Sequence, residues 1–181
     1  NFLLNNNEYR TAQGKAFLFT LDKRTSNNRL NYFDSYWIEP KLNNSTARKR
    51  IMNYIKNPWV AQFSVHRTKE FLEDSKDRLK IKDKTFNELI HNFTFIAQGK
   101  SKFIDCLYLF RQSHAGQSKL PDFNEWLIST HWNQSYNTFM DSISKILVKK
   151  DGLNALESRR IVNKAFWIYN LTSYLSKLQK E

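Results

Sequence analysis

The residues best placed to do chemistry in this sequence are the cations of Ser45-Thr46-Ala47-Arg48-Lys49-Arg50. Ser45 or Thr46 is a good N-terminal cap, and Ile51 and Ile55 repeat at the spacing of one helical face, so a helix is expected from about Thr46 to Lys56. A helix N-terminus is electropositive and presents unsatisfied N–H groups, which is why acidic residues are preferred there. Three consecutive cations at such an end are unfavourable unless an external anion supplies the missing charge. Phosphate is the obvious anion, because the free N–H groups and the cations would converge on it. Arg48 and Arg50 could also read guanine edges from a major groove. The alternative is a solvated basic turn with no ligand.

A second group brackets Asp151-Gly152, with Lys145, Lys149 and Lys150 before it and Arg159, Arg160 and Lys164 after it. If this dipeptide turns between two helices, the clusters flank one turn. Each lysine or arginine that neutralises a phosphate adds a salt-dependent increment of affinity. Lys149 and Lys150 would equally suit the negative end of a helix without any ligand.

These stretches hold the charge excess of the whole chain. Lys and Arg number 29 against 17 Asp and Glu, a formal net charge of +12. Residues 40–69 contain seven basic residues, Lys56 and Arg67 among them, and no acidic one; residues 158–180 contain five basic and no acidic ones. Together these twelve equal the net charge, so the remainder is neutral on balance. Concentrated charge of this kind attracts polyanions.

Residues for catalysis are few. His66, His91, His114 and His131 lack the spacing of a metal site, and neither a glycine-rich phosphate loop nor G-x-S-x-G occurs. Cys106 lies in FIDCLYLF and reads as a buried, inert thiol. Asp34, Glu39 and Lys41 have the residue types of a metal-dependent nuclease, but Pro40 interrupts the strand that should carry them. The expected protein is therefore not an enzyme and holds no metal or cofactor. Of the 14 Phe, 8 Tyr and 5 Trp, Trp126, Trp132 and Trp167 are expected in or beside the core, while Trp37 and Trp59 flank the basic zone and could stack on bases.

The elements that must position these groups are expected to be mostly helical. Only 4 Gly and 3 Pro occur in 181 residues, and 40% of the chain is hydrophobic; few turns are forced and a real core is available. The segment Lys15–Leu21 (KAFLFTL) reads as a strand. Helices are expected from Pro58 to about Ile81 with Phe63, Phe71 and Leu79 inside, and from Phe86 to Gln98 with Thr85 and Glu88 as a capping box. Gly99 would end that helix. Further helices should cover Ser101–Ser113, Pro121–Ser129, Gln134–Val148 and Leu153–Leu178. The expected fold class is mainly α, a multi-helix orthogonal bundle with one short N-terminal β-strand or hairpin. Residues 1–44 would be an N-terminal extension and 45–181 the helical domain. No apolar run approaches the roughly 20 residues of a membrane span, and the N-terminal stretch is too polar for a secretory signal, so a cytoplasmic location is expected. The functional expectation is a nucleic-acid-binding protein, DNA more than RNA, most simply a transcriptional regulator or accessory factor and a possible homodimer. Alternatives are a helical subunit of a ribonucleoprotein and a module that docks an acidic protein.

Overall fold

A computed structural model describes residues 2–22, 29–35, 42–114 and 120–178. In chain order these form α1 (Phe2–Asn5), β1 (Tyr9–Asp22), β2 (Arg29–Ser35), α2 (Ala47–Tyr54), α3 (Thr68–Asp74), α4 (Lys84–Gln98), β3 (Lys100–Gln112), α5 (Phe123–Leu127), α6 (Trp132–Asp151) and α7 (Ala155–Leu178). Short 3₁₀ turns occupy Ala61–Phe63 and Asp77–Lys80.

Helices predominate, but the expected bundle with one short strand is corrected by a three-stranded mixed sheet in the order β2-β1-β3. β1 pairs antiparallel with β2 and parallel with β3. The expected strand Lys15–Leu21 is only the second half of β1, which has 14 residues. The segment expected as a helix through Phe103, Leu107 and Phe110 is instead β3, of 13 residues. Those three positions satisfy helical spacing, yet FIDCLYLF is rich in aromatic and branched residues that suit a pleated surface, and pairing with β1 decides the outcome. Two glycines let the strands meet. A Cβ at Gly14 would lie 2.4 Å from the Cys106 carbonyl oxygen, at an irregularity where Gln13 faces Phe103 but Lys15 faces Leu107. That irregularity leaves Cys106 exposed, not buried as its neighbours suggest. A Cβ at Gly99 would come within 2.9 Å of Arg10 Cβ. Gly99 has φ −167°, so it ends α4 by allowing close approach to β1 and not by a left-handed turn.

The expected helix from Pro58 to Ile81 is also broken. Val65 exchanges two backbone hydrogen bonds with Ala12 of β1, at 3.1 and 2.7 Å, which takes the chain out of helical geometry. Leu79, expected inside, is 85% exposed, and Phe63 is exposed as well. The fragment containing Trp37, Glu39 and Lys41 lies outside the described residues.

The core forms around α4, whose residues His91 to Ala97 are all buried. Phe86 stacks on Phe166 of α7 at 5.6 Å, and Phe93 meets Phe139 of α6 and Tyr54 of α2 edge-on at 5.2 and 5.5 Å. Each such ring, fully buried, contributes about 2–3 kcal/mol by removal of apolar surface from water. At the sheet side, Arg10 of β1 grips Asp74 of α3 through two hydrogen bonds of 2.7 and 2.8 Å.

Two histidines lie between these layers, His91 buried and His66 half-buried. His66 packs on Phe95 at 4.1 Å and His91 on the same ring at 4.4 Å. Burial lowers both from the ordinary 6.5 to about 4. The unfolded chain therefore binds more protons than the folded one between pH 6.5 and 4, and stability present above pH 6.5 is lost as pH falls through that window. Asp74, whose carboxyl burial raises despite Arg10, offsets part of this loss at the acid end. Thermal midpoints recorded from pH 7.5 to 4 are expected to decline steadily below pH 6.5; a flat profile would show that these imidazoles are not shielded.

Candidate functional site

The N-terminus of α2 begins as expected, with Thr46 as the cap; its hydroxyl accepts the Lys49 N–H at 3.4 Å. The anion at this end is internal. Asp151, the last residue of α6, accepts the Ala47 N–H at 2.8 Å through Oδ1 and the Arg48 N–H at 2.7 Å through Oδ2. The chain thus supplies the negative charge that an external phosphate was expected to bring. Asp151 reaches this position because Gly152 ends α6 in a left-handed conformation, φ 68°, donating its N–H to Val148 O at 3.1 Å. Asn154 then caps α7 by accepting the Glu157 N–H at 2.8 Å.

This junction brings several predicted cations together. Arg48 and Lys49 project from the first turn of α2, and Lys149 and Lys150 from the last turn of α6, all exposed. Arg48 also reaches Glu157 of α7 at 3.6 Å. Partial burial and the neighbouring cations Arg10, Arg50 and Lys149 hold the Lys150 ammonium below its ordinary value. From Glu157 the same face of α7 continues, at i+3 and i+7 spacing, through the exposed Arg160 and Lys164.

Other expected contacts are committed elsewhere. Arg50 is 4% exposed. Its guanidinium donates to Ile96 O and Ala97 O at the end of α4 (2.9 and 2.6 Å) and to Asn44 O and Ser45 O (2.9 and 2.8 Å). It satisfies helix-end carbonyls that would otherwise lack partners, so it reads no base edge. Arg67 is likewise enclosed, donating to Leu3 O, Asn6 O, Tyr9 O and Glu70 and so clasping α1 to α3. Arg159 pairs with Asp141 and Asn137 of α6. Lys56 is exposed beyond the opposite end of α2, and Lys145 lies beside Asp77 on the α6 flank, where it helps hold that carboxyl down.

A second feature was not visible as a site in the sequence. A cavity of about 440 Å³ opens between β1, β3, the Pro58–Phe63 segment and the helices α4, α5 and α7. Thr85, Glu88 and Asn92 of α4 stand on it at i, i+3 and i+7. The spacing was legible, but Thr85 and Glu88 read as the two halves of a capping box. In the folded protein Asp83 is the cap, accepting the Phe86 N–H at 2.8 Å. Asp83 also accepts the Trp126 indole N–H at 3.0 Å and so fixes that ring in the cavity wall. Released from capping, Glu88 borders the cavity, and the Thr85 hydroxyl is buried without a partner among the described residues.

Fold and sites together define a mixed-sheet, helix-rich protein with a cationic helix junction at one end of α4 and an aromatic cavity at the other. Compared with known proteins, the chain matches no family model, no curated protein and no solved structure. Among the described residues no helix is long and apolar enough to cross a membrane, and no cluster of three or more His, Cys, Asp or Glu is positioned to hold a metal.

Removing the two internal anchors of the junction should cost different amounts. Arg50→Met leaves four carbonyls to be satisfied in a buried setting and is expected to lose about 2–4 kcal/mol. Asp151→Ala removes a helix cap at the surface and should lose about 1–2 kcal/mol. Urea unfolding of both variants checks the ranking; equal losses would mean that Arg50 is not buried as described.

Proposed function

We propose that the protein is a non-enzymatic nucleic-acid-binding protein, a DNA-binding regulator or accessory factor, which contacts phosphates through the α2–α6–α7 junction. The observation that carries this reading is the docking of the first turn of α2, within the acid-free residues 40–69, onto the α6–α7 turn through Asp151 and Glu157. Arg48 and Lys49 stand beside Lys149 and Lys150, and the row continues through Arg160 and Lys164. Asp151 and Glu157 do not neutralise this group; they serve to hold it together. A surface on which exposed cations outnumber carboxylates, with flexible side chains on three separate helices, suits a phosphate backbone better than a single bound anion. Of the two arginines expected to read base edges from α2, Arg50 is used inside, which leaves only Arg48, itself paired with Glu157. Binding should accordingly depend on salt more than on sequence.

Neutralising Arg48, Lys49, Lys149 and Lys150 together with Gln is expected to weaken duplex DNA binding by about tenfold or more at low salt and to flatten its salt dependence. Asp151→Asn should act in the opposite direction, tightening binding while lowering stability, because it removes a carboxylate from the middle of the phosphate track. Fluorescence anisotropy with duplex DNA, single-stranded DNA and single-stranded RNA measures all of these. Unchanged binding by the fourfold variant would remove the junction as the contact surface, and preferential binding of RNA would turn the reading toward a ribonucleoprotein subunit.

A further inference from the structure

The aromatic cavity lies apart from the junction. Glu88, on its wall, and Ala97, whose carbonyl holds Arg50, are nine residues apart on α4, roughly 13 Å at 1.5 Å per residue. Its volume of about 440 Å³ falls within the span of small-molecule sites. The walls are rings: Trp59, Phe63, Phe123, Trp126, Tyr169 and Tyr174. Several are held in place by their neighbours. Tyr54 donates to Trp59 O at 2.9 Å and packs edge-on against its ring at 5.1 Å. Asp83 fixes Trp126, and Phe123 packs against Tyr174 at 5.0 Å. Rings locked before a ligand arrives present flat faces at little entropic cost.

The charge of the lining is distinctive for this protein. In a chain with a net charge of +12, no Lys or Arg among the described residues lines the cavity and Glu88 is the one charged residue that does, with the Arg111 guanidinium 5.2 Å over the Phe63 ring at its edge. Among the described residues the Glu88 carboxylate makes no hydrogen bond or ion pair, while its backbone carbonyl accepts from the Asn92 side-chain amide at 3.0 Å. An unpaired carboxylate beside aromatic faces is complementary to a cationic, N–H-bearing ring: the carboxylate takes the N–H and the rings take the π-face and the charge. The Glu88 carboxylate disfavours a phosphate or carboxylate beside it. The Thr85 hydroxyl and the Trp59 indole N–H, buried on this wall without partners among the described residues, are further groups that a small side-chain rotation would offer to a polar edge.

We propose that this cavity is a binding site for a planar aromatic amine, a nitrogen heterocycle carrying one positive charge or an amino group, and that Glu88 is its anchoring residue. The site is independent of the nucleic-acid surface and can be tested without nucleic acid. Three tricyclic probes of nearly equal shape separate charge from fit: 9-aminoacridine, cationic at neutral pH; acridine, largely uncharged; and 9-anthracenecarboxylate, anionic. Titration of nuclease-treated protein, followed by quenching of tryptophan fluorescence, is expected to show one site for 9-aminoacridine, about tenfold weaker binding of acridine and no saturable binding of the anion. The overall charge of the protein favours the anion, so the expected order can arise only locally. Glu88→Gln should bring 9-aminoacridine to the affinity of acridine and leave acridine unchanged. Phe63→Ala, at a ring already 40% exposed and so dispensable for the core, should weaken both. Tighter binding of the anion, indifference of 9-aminoacridine to Glu88→Gln, or the absence of saturable binding by any probe would overturn the proposal.

Discussion

A guanidinium removed from water has to find acceptors for its N–H groups, and Arg50 finds four in backbone carbonyls. Two belong to the last turn of α4, where carbonyls have no helical partner. Two belong to the segment that leads into α2. One side chain therefore closes the C-terminal end of the core helix and fixes the N-terminal end of its neighbour. Burial lowers the readiness of this guanidinium to stay charged, and Asp151 nearby works against that loss. With α2 pinned in this way, its first N–H groups face the end of α6, and Asp151 completes the joint. Arg48 and Lys49 are exposed because Arg50, adjacent in sequence, is inside.

The parallel pairing of β1 with β3 imposes a second constraint. The chain between them must cross from one end of the sheet to the other, and α4, which runs directly into β3 through an extended Gly99, provides the return. A helix entering a strand without a loop cannot end in a left-handed cap, so its final carbonyls stay open. That is the vacancy Arg50 fills. The tight contact of Gly99 with Arg10 and the grip of Arg10 on Asp74 then carry the same constraint to α3.

Elements whose local signals agree with their tertiary setting were legible in the sequence. Thr46 as a cap, Gly152 as a break, α6 and α7, and the burial of Trp126 follow from capping chemistry and apolar spacing. β3 was not legible, because Phe103, Leu107 and Phe110 satisfy a helical period while the strand is decided by a partner some ninety residues earlier in the chain. The junction was legible in half. Charge clustering located the cations, and the Asp151-Gly152 turn brought them together, but nothing local distinguishes Arg50 from Arg48 and Lys49; only the open end of α4 does. The same holds for Glu88, whose spacing from Thr85 imitates a cap that Asp83 in fact provides.

The two sites differ in how the protein treats charge, and this keeps them apart. At the junction carboxylates are structural: Asp151 and Glu157 join helices, and the cations around them are left facing water. At the cavity the reverse holds: among the described residues Glu88 is the one charged residue on its wall, and a cation in contact with that wall, Arg111, lies over the Phe63 ring. Screening by salt is strong for the first and weaker for the second, because a Debye length of about 8 Å at physiological ionic strength acts across solvent and less within a partly enclosed aromatic site. A ligand drawn by the field of the whole protein therefore arrives at the α2–α6–α7 face, whereas one that enters the cavity must do so against that field and be selected by the Glu88 carboxylate and the rings around it.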